Sequence, residues 1–178
     1  MLCICENVHV YSTVLRGKPE VSLFENETCK KKMLDVVAAV QKGSGLQVMA
    51  YCVLDNEVHL LVKGENYQQA KEGLTRMKKG YEQVLFPDGK RSGRCSLWKS
   101  SPIREIPVEW KAIRQCIRLH MLPVKHHLVS RPEDYWWCSY NDYLGREWLP
   151  LTDTEILLSW VDGNRRKAVR DFRKKHRS

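Results

Sequence analysis

The chain has 178 residues and a formal net charge of +9, from 30 basic and 21 acidic side chains. Its length suffices for one domain with a core of its own, and a hydrophobic content of 43% is typical of a globular protein. No apolar run approaches the roughly 20 residues of a membrane-spanning helix, so none is predicted. The excess of basic charge favours a polyanionic partner such as nucleic acid, although solvated Lys and Arg side chains alone give the same balance.

The cysteines and the first residues of the chain indicate a reducing compartment. The seven cysteines are scattered without a C-x-x-C pair, which favours reduced and mostly buried thiols over a disulfide framework. The spacing of Cys3, Cys5 and His9 fits no common zinc site. The N-terminus lacks the basic region and the long apolar stretch of a secretory signal peptide, so we expect a cytoplasmic location.

Strand and helix patterns alternate through the first half of the chain. Residues 7–15 alternate as a first strand, and residues 26–41 have the apolar spacing of a helix. Residues 48–62 read as two apolar strands around the turn signal Asp55-Asn56. A second helix is predicted over residues 66–85, with an apolar stripe of Ala70, Leu74, Met77 and Tyr81. The lysines expected largely outside the stripe of the first helix are Lys30, Lys31 and Lys32.

The next part of the chain predicts a strand and a third helix. Residues 95–106 indicate the strand, and Pro102 favours a position at the sheet edge. Pro107 is tolerated at the start of the helix, which carries Arg114 and Arg118 one turn apart on its polar face. The side chains expected to face the core from this helix are Trp110, Ile113, Ile117 and Met121.

Two helices are predicted near the C-terminus. Residues 152–160 form the first of them, with Thr152 as N-cap and Glu155 completing a capping box. Residues 165–177 form the second, which is dense in Arg and Lys. The aromatic residues between 130 and 140 either pack at the core and its rim or offer rings on which bases stack.

The order strand, helix, strand, strand, helix, strand predicts an α+β fold. It is the split β-α-β arrangement of a ferredoxin-like sandwich, with an antiparallel sheet of four to five strands and added C-terminal helices. We expect a single domain over residues 1–178. Residues 1–129 form its α+β core, and residues 130–178 hold the aromatic segment and the basic C-terminal helices.

The second strand of the hairpin carries a candidate metal pair. Alternation places Glu57, His59 and Leu61 on one face of this strand. The residues on the other face are Val58, Leu60 and Val62. A carboxylate and an imidazole on the same strand face could share one metal ion. The alternative is that Glu57 and His59 simply lie on the wetter face of a half-exposed strand.

Three blocks of the chain together resemble the single-tyrosine HUH transposases, and within them the REP-associated tyrosine transposases (RAYTs). The family's Met-Pro-Asn-His-Val-His-Leu-Leu stands here as residues 54–61, Leu-Asp-Asn-Glu-Val-His-Leu-Leu. Its Tyr-Ile-His-Leu-Asn-Pro-Val-Arg-Ala-Gly-Leu-Val stands here as residues 118–129, Arg-Leu-His-Met-Leu-Pro-Val-Lys-His-His-Leu-Val. Its Pro-Glu-Asp-Tyr-Pro-Trp-Ser-Ser-Tyr stands here as residues 132–140, with Trp136 and Cys138 substituted. The resemblance covers nearly the whole chain.

The resemblance implies the HUH endonuclease fold and a DNA partner. In that family two histidines and a polar third ligand bind a divalent metal, which polarises a scissile phosphate. A tyrosine attacks this phosphate and leaves a 5′-phosphotyrosine link to single-stranded DNA. Family members recognise hairpin DNA from repetitive extragenic palindromes or element ends, often as dimers. The resemblance therefore implies nucleic-acid binding and makes a homodimer one candidate assembly.

The residues that perform this chemistry in the family are replaced here. Glu57 stands at the first histidine, Arg118 at the tyrosine, and Leu122 at an asparagine that is a candidate third ligand. Arginine stays protonated at any working pH and cannot be the nucleophile. Glu57 and His59 could still bind Mg²⁺ or Mn²⁺, although binding nucleic acid requires no cofactor. Arg118 either holds a phosphate through two hydrogen bonds or merely joins the polar helix face after loss of activity.

Three functions stay open. The first is a transposase-derived protein that binds hairpin or single-stranded DNA, or structured RNA, without tyrosine-dependent cleavage. The second is an active metal-dependent nicking or strand-transfer enzyme whose nucleophile is Tyr135, Tyr140 or Tyr143. The third is an interaction subunit of a nucleoprotein complex, with a docking surface from Tyr135 to Trp148. The basic residues predicted to bind nucleic acid are Arg16, Lys18, Lys90, Arg91, Arg94, Lys99, Arg104, Arg114, Arg118, Arg165, Arg166, Arg170, Arg173 and Lys174.

Overall fold

A four-stranded sheet with helices on both faces organises the computed structural model, which describes residues 9–88, 97–146 and 148–177. The strands are β1 (His9–Arg16), β2 (Gln47–Val53), β3 (Glu57–Gly64) and β4 (Ile103–Ile106). The helices are α1 (Glu27–Ser44), α2 (Tyr67–Leu85), α3 (Glu109–His120), α4 (Leu122–Lys125), a 3₁₀ turn (Pro132–Asp134), α5 (Tyr140–Tyr143), α6 (Glu155–Val161) and α7 (Arg165–Lys175). Over these described ranges, no helix is both long and apolar enough to cross a membrane.

The sheet has the topology of a ferredoxin-like sandwich. Its strand order is β2-β3-β1-β4, and every pair of neighbouring strands is antiparallel. Helix α1 connects β1 to β2 and helix α2 connects β3 to β4, which completes the split β-α-β arrangement. The predicted fold class, an α+β ferredoxin-like sandwich with added C-terminal helices, is confirmed.

The pairing of β1 with β3 fixes which side chains face which layer. It extends over the full length of both strands and sets Arg16 opposite Glu57. Because side chains alternate along a strand, the even-numbered residues from Val58 to Val62 enter the core below α1 and α2. Glu57, His59 and Leu61 face the layer of α3, as the sequence alternation predicted.

The layer of α1 and α2 follows the sequence prediction, with one exception. The predicted stripe of α2 is buried at Ala70, Leu74, Met77 and Tyr81. Lys30 was predicted to lie largely outside the stripe of α1, yet it is only 9% exposed. Its ammonium donates hydrogen bonds to the Asp55 carboxylate over 2.9 Å and to the Tyr135 hydroxyl over 3.3 Å. The helix start lies against the hairpin turn, so the buried lysine meets its counter-ion there.

The core face of α3 was predicted wrongly. The predicted residue Trp110 is 54% exposed, and Ile113, Ile117 and Met121 are only partly buried. The buried positions are Ala112, Cys116, Leu119 and His120. Small side chains at 112 and 116 let α3 approach the sheet closely. The predicted set and the buried set both recur at helical spacing. The prediction chose the set with the larger side chains, which is the more exposed one.

The strand after residue 88 and the start of α6 also differ from the prediction. β4 begins at Ile103 instead of residue 95, and residues 89–96 lie outside the described ranges. β4 forms the sheet edge, which agrees with Pro102. Helix α6 begins only at Glu155, and Thr152 does not cap it. The Thr152 hydroxyl instead donates to the buried Asp142 carboxylate over 2.5 Å.

Helix α7 is fastened to the core by a buried pair of histidines. Nδ1 of His120 lies 3.1 Å from Nε2 of His176, and Nε2 of His120 lies 2.9 Å from the Ser139 hydroxyl. Nδ1 of His176 donates to the Phe172 carbonyl over 2.9 Å. Since that carbonyl can only accept, Nε2 of neutral His176 accepts from His120, and Nε2 of His120 accepts from Ser139. This chain of hydrogen bonds requires both rings to be neutral.

We expect this pair to make the protein less stable as the pH falls below 6.5. Burial is the main cause that lowers the pKa of both rings, well below the ordinary value for His120 and to about 4 for His176. The unfolded chain therefore binds protons between pH 6.5 and 4 while the folded chain does not. His176 alone should cost about 2 kcal/mol of unfolding free energy between pH 7 and pH 5, measured by urea denaturation.

A matched pair of variants isolates this effect. His176→Gln should flatten the pH dependence of the unfolding free energy relative to the unaltered chain, and His127→Gln, which removes an exposed imidazole instead, is the control. NMR titration of the imidazole signals gives an independent measure of the two pKa values. Normal titration of both buried rings near pH 6.5 would contradict the hydrogen-bonded chain described above.

Candidate functional site

A cleft of about 400 Å³ opens between α3 and the strands β3, β1 and β4. Its polar lining includes Ser12, Arg16, His59, Arg104, Gln115 and Arg118. The residues come from three strands and one helix, and none is adjacent in sequence to another. Only the fold brings them together.

Strand register arranges the sheet side of the cleft. Val14 pairs with His59 across β1 and β3, and Ser12 pairs with Arg104 across β1 and β4. Directly paired residues project to the same face, so these side chains form a row beneath α3. Gln115 of α3 donates to the Ser12 hydroxyl over 2.9 Å and joins helix to sheet inside the cleft. The sequence prediction missed both Ser12 and Gln115 as site residues, although Ser12 shares a strand face with Arg16.

Arg118 projects into this cleft from the last turn of α3. Its side chain is exposed, and it makes no hydrogen bond or ion pair within residues 9–88, 97–146 and 148–177. Arg104 is likewise exposed and unpaired in the described part of the chain. No Asp or Glu is among the described residues that line the cleft. Free guanidinium groups in a concave site without carboxylates bind anions, and phosphate matches their planar donor geometry.

Glu57 connects Arg16 to His59 at one end of the cleft. Its Oε1 accepts a hydrogen bond from Nε of Arg16 over 2.6 Å, and its Oε2 lies 2.8 Å from Nε2 of His59. A carboxylate can only accept, so the imidazole donates through Nε2. Glu57 thus fixes the direction of the Arg16 side chain and the tautomer of His59.

The ionisation states at this end of the cleft follow from burial and charge. Burial raises the pKa of Glu57, but hydrogen bonds from Arg16 and His59 outweigh it, and the pKa lies below its ordinary value. Burial is the main cause that lowers the pKa of His59, against the opposing effect of Glu57. At neutral pH the carboxylate is therefore charged and the imidazole neutral. The positive charge of the cleft comes from its arginines.

The structure brings Glu57 and His59 together, as predicted, but they do not fit a divalent metal in this arrangement. Both carboxylate oxygens of Glu57 and Nε2 of His59 are already engaged, and the Arg16 guanidinium places a positive charge beside the carboxylate. Leu122 lines the cleft without a donor atom. Among the described residues, no group of three or more His, Cys, Asp and Glu side chains could hold a metal ion. Metal binding by Glu57 and His59 stays a prediction, and no step below depends on it.

The remaining predicted basic residues occupy three places. Lys18 and Lys99 lie beside the end of β1, where the backbone N–H of Lys99 donates to the Arg16 carbonyl over 2.8 Å. Arg114 lies on the outer face of α3, with its guanidinium carbon 5.6 Å from the ring centroid of Trp110. The basic residues predicted on the C-terminal helix are Arg165, Arg166, Arg170, Arg173 and Lys174, all on α7. Those outside the described residues are Lys90, Arg91 and Arg94.

Acidic neighbours reduce the free charge of α7. Arg165 pairs with Glu155 over 2.9 Å, while Arg170 and Lys174 each lie 3.7 Å from the Asp171 carboxylate. The end of α7 comes close to α3, where Lys175 shares an apolar groove with Trp110, Ile113 and Ile117. The charges of Arg104 and Arg118 in the cleft are therefore less compensated than those of Arg165, Arg170 and Lys174 on α7.

The three candidate tyrosines lie in the core and away from the cleft. The Tyr135 hydroxyl donates to the Val53 carbonyl over 2.7 Å, and the Tyr143 hydroxyl donates to the Met49 carbonyl over 2.6 Å. Tyr140 is only 3% exposed. Burial is the largest cause that raises the pKa of all three hydroxyls. None can reach a bound phosphate without local unfolding.

Comparison with known proteins identifies the fold. No protein-family model and no curated protein matches the chain. A solved structure described as the REP-associated tyrosine transposase bound to a REP hairpin is similar to it, with a TM-score of 0.63 and 16% sequence identity, over 84% of this chain and 88% of that chain. A putative transposase from Deinococcus radiodurans R1 aligns over 61% of this chain and 88% of its own, with 19% identity and a TM-score of 0.45. The sandwich, its open cleft and the first of these comparisons show that this chain has the fold of the REP-associated tyrosine transposase.

Proposed function

We propose that the protein binds hairpin or single-stranded DNA through the cleft between α3 and the sheet, without tyrosine-dependent cleavage. The observation that carries this proposal is the free guanidinium of Arg118, which lies with Arg16 and Arg104 in a cleft that no described carboxylate lines. Such a site attracts phosphate groups and releases their counterions. Structured RNA offers the same phosphates and is the main competitor as ligand.

The fold supports a DNA hairpin as the ligand. The solved transposase of the same fold carries a REP hairpin, and the structural match covers most of both chains. The transposase resemblance places Arg118 at the position of the nucleophilic tyrosine, where the family brings a phosphate. A guanidinium at this position can grip that phosphate through two hydrogen bonds but cannot attack it.

The absence of cleavage rests on the chemistry of the available side chains. In this proposal the cleft supplies charge and hydrogen-bond donors, through its arginines, Gln115 and Ser12, but no nucleophile with a lowered pKa. The alternative, an active enzyme with a relocated tyrosine, would require Tyr135, Tyr140 or Tyr143 to leave the core. The protein would then act as a binder that recognises a folded strand and holds it intact.

We expect Arg118→Ala to lower the affinity for a hairpin with single-stranded flanks by about tenfold, because a charge-assisted contact to phosphate is lost. The slope of log Kd against log salt should fall by about 1, which corresponds to one phosphate contact. Arg118→Lys should retain part of the affinity, since it keeps the charge and loses the second hydrogen bond. Fluorescence anisotropy at several salt concentrations measures both quantities.

Lys71→Ala is the matched control for this experiment. Lys71 is exposed on α2, which covers the opposite face of the sheet, so its replacement removes a charge without touching the cleft. Equal losses in both variants would mean that only net charge matters, and the cleft proposal would be wrong. Competition with an unstructured strand and with an RNA hairpin of the same sequence separates hairpin recognition and RNA binding from single-stranded DNA binding.

We expect no covalent adduct between the protein and hairpin DNA when the two are incubated with Mn²⁺ and separated on a denaturing gel. The three candidate tyrosine hydroxyls are buried, and Arg118 cannot form a phosphoester link. An adduct that disappears in one of the variants Tyr135→Phe, Tyr140→Phe or Tyr143→Phe would establish the active-enzyme alternative in place of the binding protein.

Hairpin affinity should be independent of divalent metal, because the arginines supply the positive charge of the cleft. We expect Kd in EDTA and in millimolar MgCl₂ or MnCl₂ to agree within about twofold once ionic strength is matched. Glu57→Gln serves as the comparison, since it removes the only carboxylate that the pair could offer a metal. A large gain in affinity on adding Mn²⁺ that vanishes in Glu57→Gln would instead demonstrate a metal site.

A further inference from the structure

A second concave surface lies at the opposite edge of the sheet from β4. This aromatic groove measures about 640 Å³ and lies between the start of α1 and the residues around the 3₁₀ turn. It adjoins β2, because the backbone N–H of Val53 donates to the Trp137 carbonyl over 2.8 Å. Among the described residues, the groove and the arginine cleft share no lining side chain. The two surfaces can therefore be occupied at the same time.

Three tryptophans form the wall of the aromatic groove. Trp136 is 52% exposed and Trp148 is 38% exposed, which is unusual for side chains of this size. The Trp148 indole N–H donates to the Trp136 carbonyl over 3.2 Å, and the rings of Trp137 and Trp148 meet edge to face with centroids 5.3 Å apart. These contacts hold the Trp148 ring in place. A fixed and exposed aromatic surface is a typical binding feature.

The rim of the groove is acidic although the whole chain carries a net charge of +9. Glu25, Glu27 and Asp134 line it, and Lys30 is the only cation among the described residues of the lining. Lys30 is neutralised by Asp55 over 2.9 Å, and Asp134 is paired with Arg131 over 3.1 Å. Glu25 and Glu27 are exposed, and their carboxylates have no ion pair or hydrogen bond in the described part of the chain.

We propose that the aromatic groove binds an arginine- or lysine-bearing segment of a partner protein. Indole faces attract guanidinium and ammonium groups, and the two unpaired carboxylates add Coulombic attraction at the rim. The same carboxylates repel phosphate, so nucleic acid does not fit this surface. The groove volume lies within the range that accommodates one or two side chains of a bound peptide. Bound in this way, the protein would connect a basic partner to the nucleic acid in its cleft.

Two synthetic peptides test the proposal on the full chain in the absence of nucleic acid. One carries three arginines separated by Gly-Ser pairs, and the other carries citrulline, the neutral isostere, at the same positions. We expect the arginine peptide to change the tryptophan fluorescence saturably and to bind about tenfold more tightly than the citrulline peptide. Calorimetry measures the same two affinities independently of fluorescence.

Variants then locate the binding surface. We expect Trp136→Ala to weaken binding of the arginine peptide by about tenfold and Glu27→Gln by about threefold. Trp110→Ala is the matched control, because Trp110 is 54% exposed but lies beside Lys111 and Arg114 instead of carboxylates. Thermal unfolding verifies that each variant is folded. Because Glu27→Gln alters only an exposed side chain, this variant tests the proposal even if Trp136→Ala is unstable.

Three results would overturn the proposal. Equal affinity for both peptides would show that charge is not recognised, and an equal loss in Trp110→Ala would show that the groove is not the site. Displacement of the peptide by single-stranded DNA that depends on Trp136 would identify base stacking instead. Concentration-dependent self-association lost in Trp136→Ala, without peptide, would identify a second copy of the chain as the occupant. None of these results affects the arginine cleft, whose hairpin affinity is measured separately.

Discussion

The full-length antiparallel pairing of β1 with β3 determines where the functional side chains of this protein point. Side chains alternate with a period of two along a strand, so a slip of one residue would exchange core and cleft residues on the whole strand. In the observed register Arg16 lies opposite Glu57, and Val14 opposite His59. The apolar residues at even positions of β3 oppose any slip because they are buried below α1 and α2. Core packing therefore also positions the cleft.

The molecule separates its charges over the two ends of one sheet. Arginines line the cleft near β1 and β4, whereas carboxylates and tryptophans line the groove beside β2. The net charge of +9 is a sum over the whole chain, so it does not show that one surface is basic and the other acidic. At one end of the cleft, Glu57 holds the side chains of Arg16 and His59 in fixed orientations.

Periodicity made much of this fold predictable from the sequence. The stripe of α2 and the alternation of β3 belong to long, strongly patterned elements, and the predicted order of strands and helices up to β4 was correct. The buried face of α3 was not predictable from periodicity, because Trp110 and Cys116 belong to two different sets of residues that both recur at helical spacing. Side-chain size favoured the set with Trp110, which is exposed. The burial of Lys30 depends on Asp55 and Tyr135, which are distant in sequence.

The candidate site was predictable only in part, for similar reasons. His59, Arg16, Arg104 and Arg118 were singled out one by one, but their convergence depends on strand register and on the placement of α3. Gln115 was missed because its role arises only through its contact with Ser12. The aromatic segment was recognised from composition, but the carboxylates that give it an acidic rim come from the start of α1.

The histidine pair has a consequence for how the protein is made. His120 ends the helix that carries Arg118, and its partner His176 is synthesised 56 residues later. Helix α3 therefore lacks its contact with His176 until that residue has been translated. The helix that carries Arg118 reaches its full packing only after His176 has joined the fold.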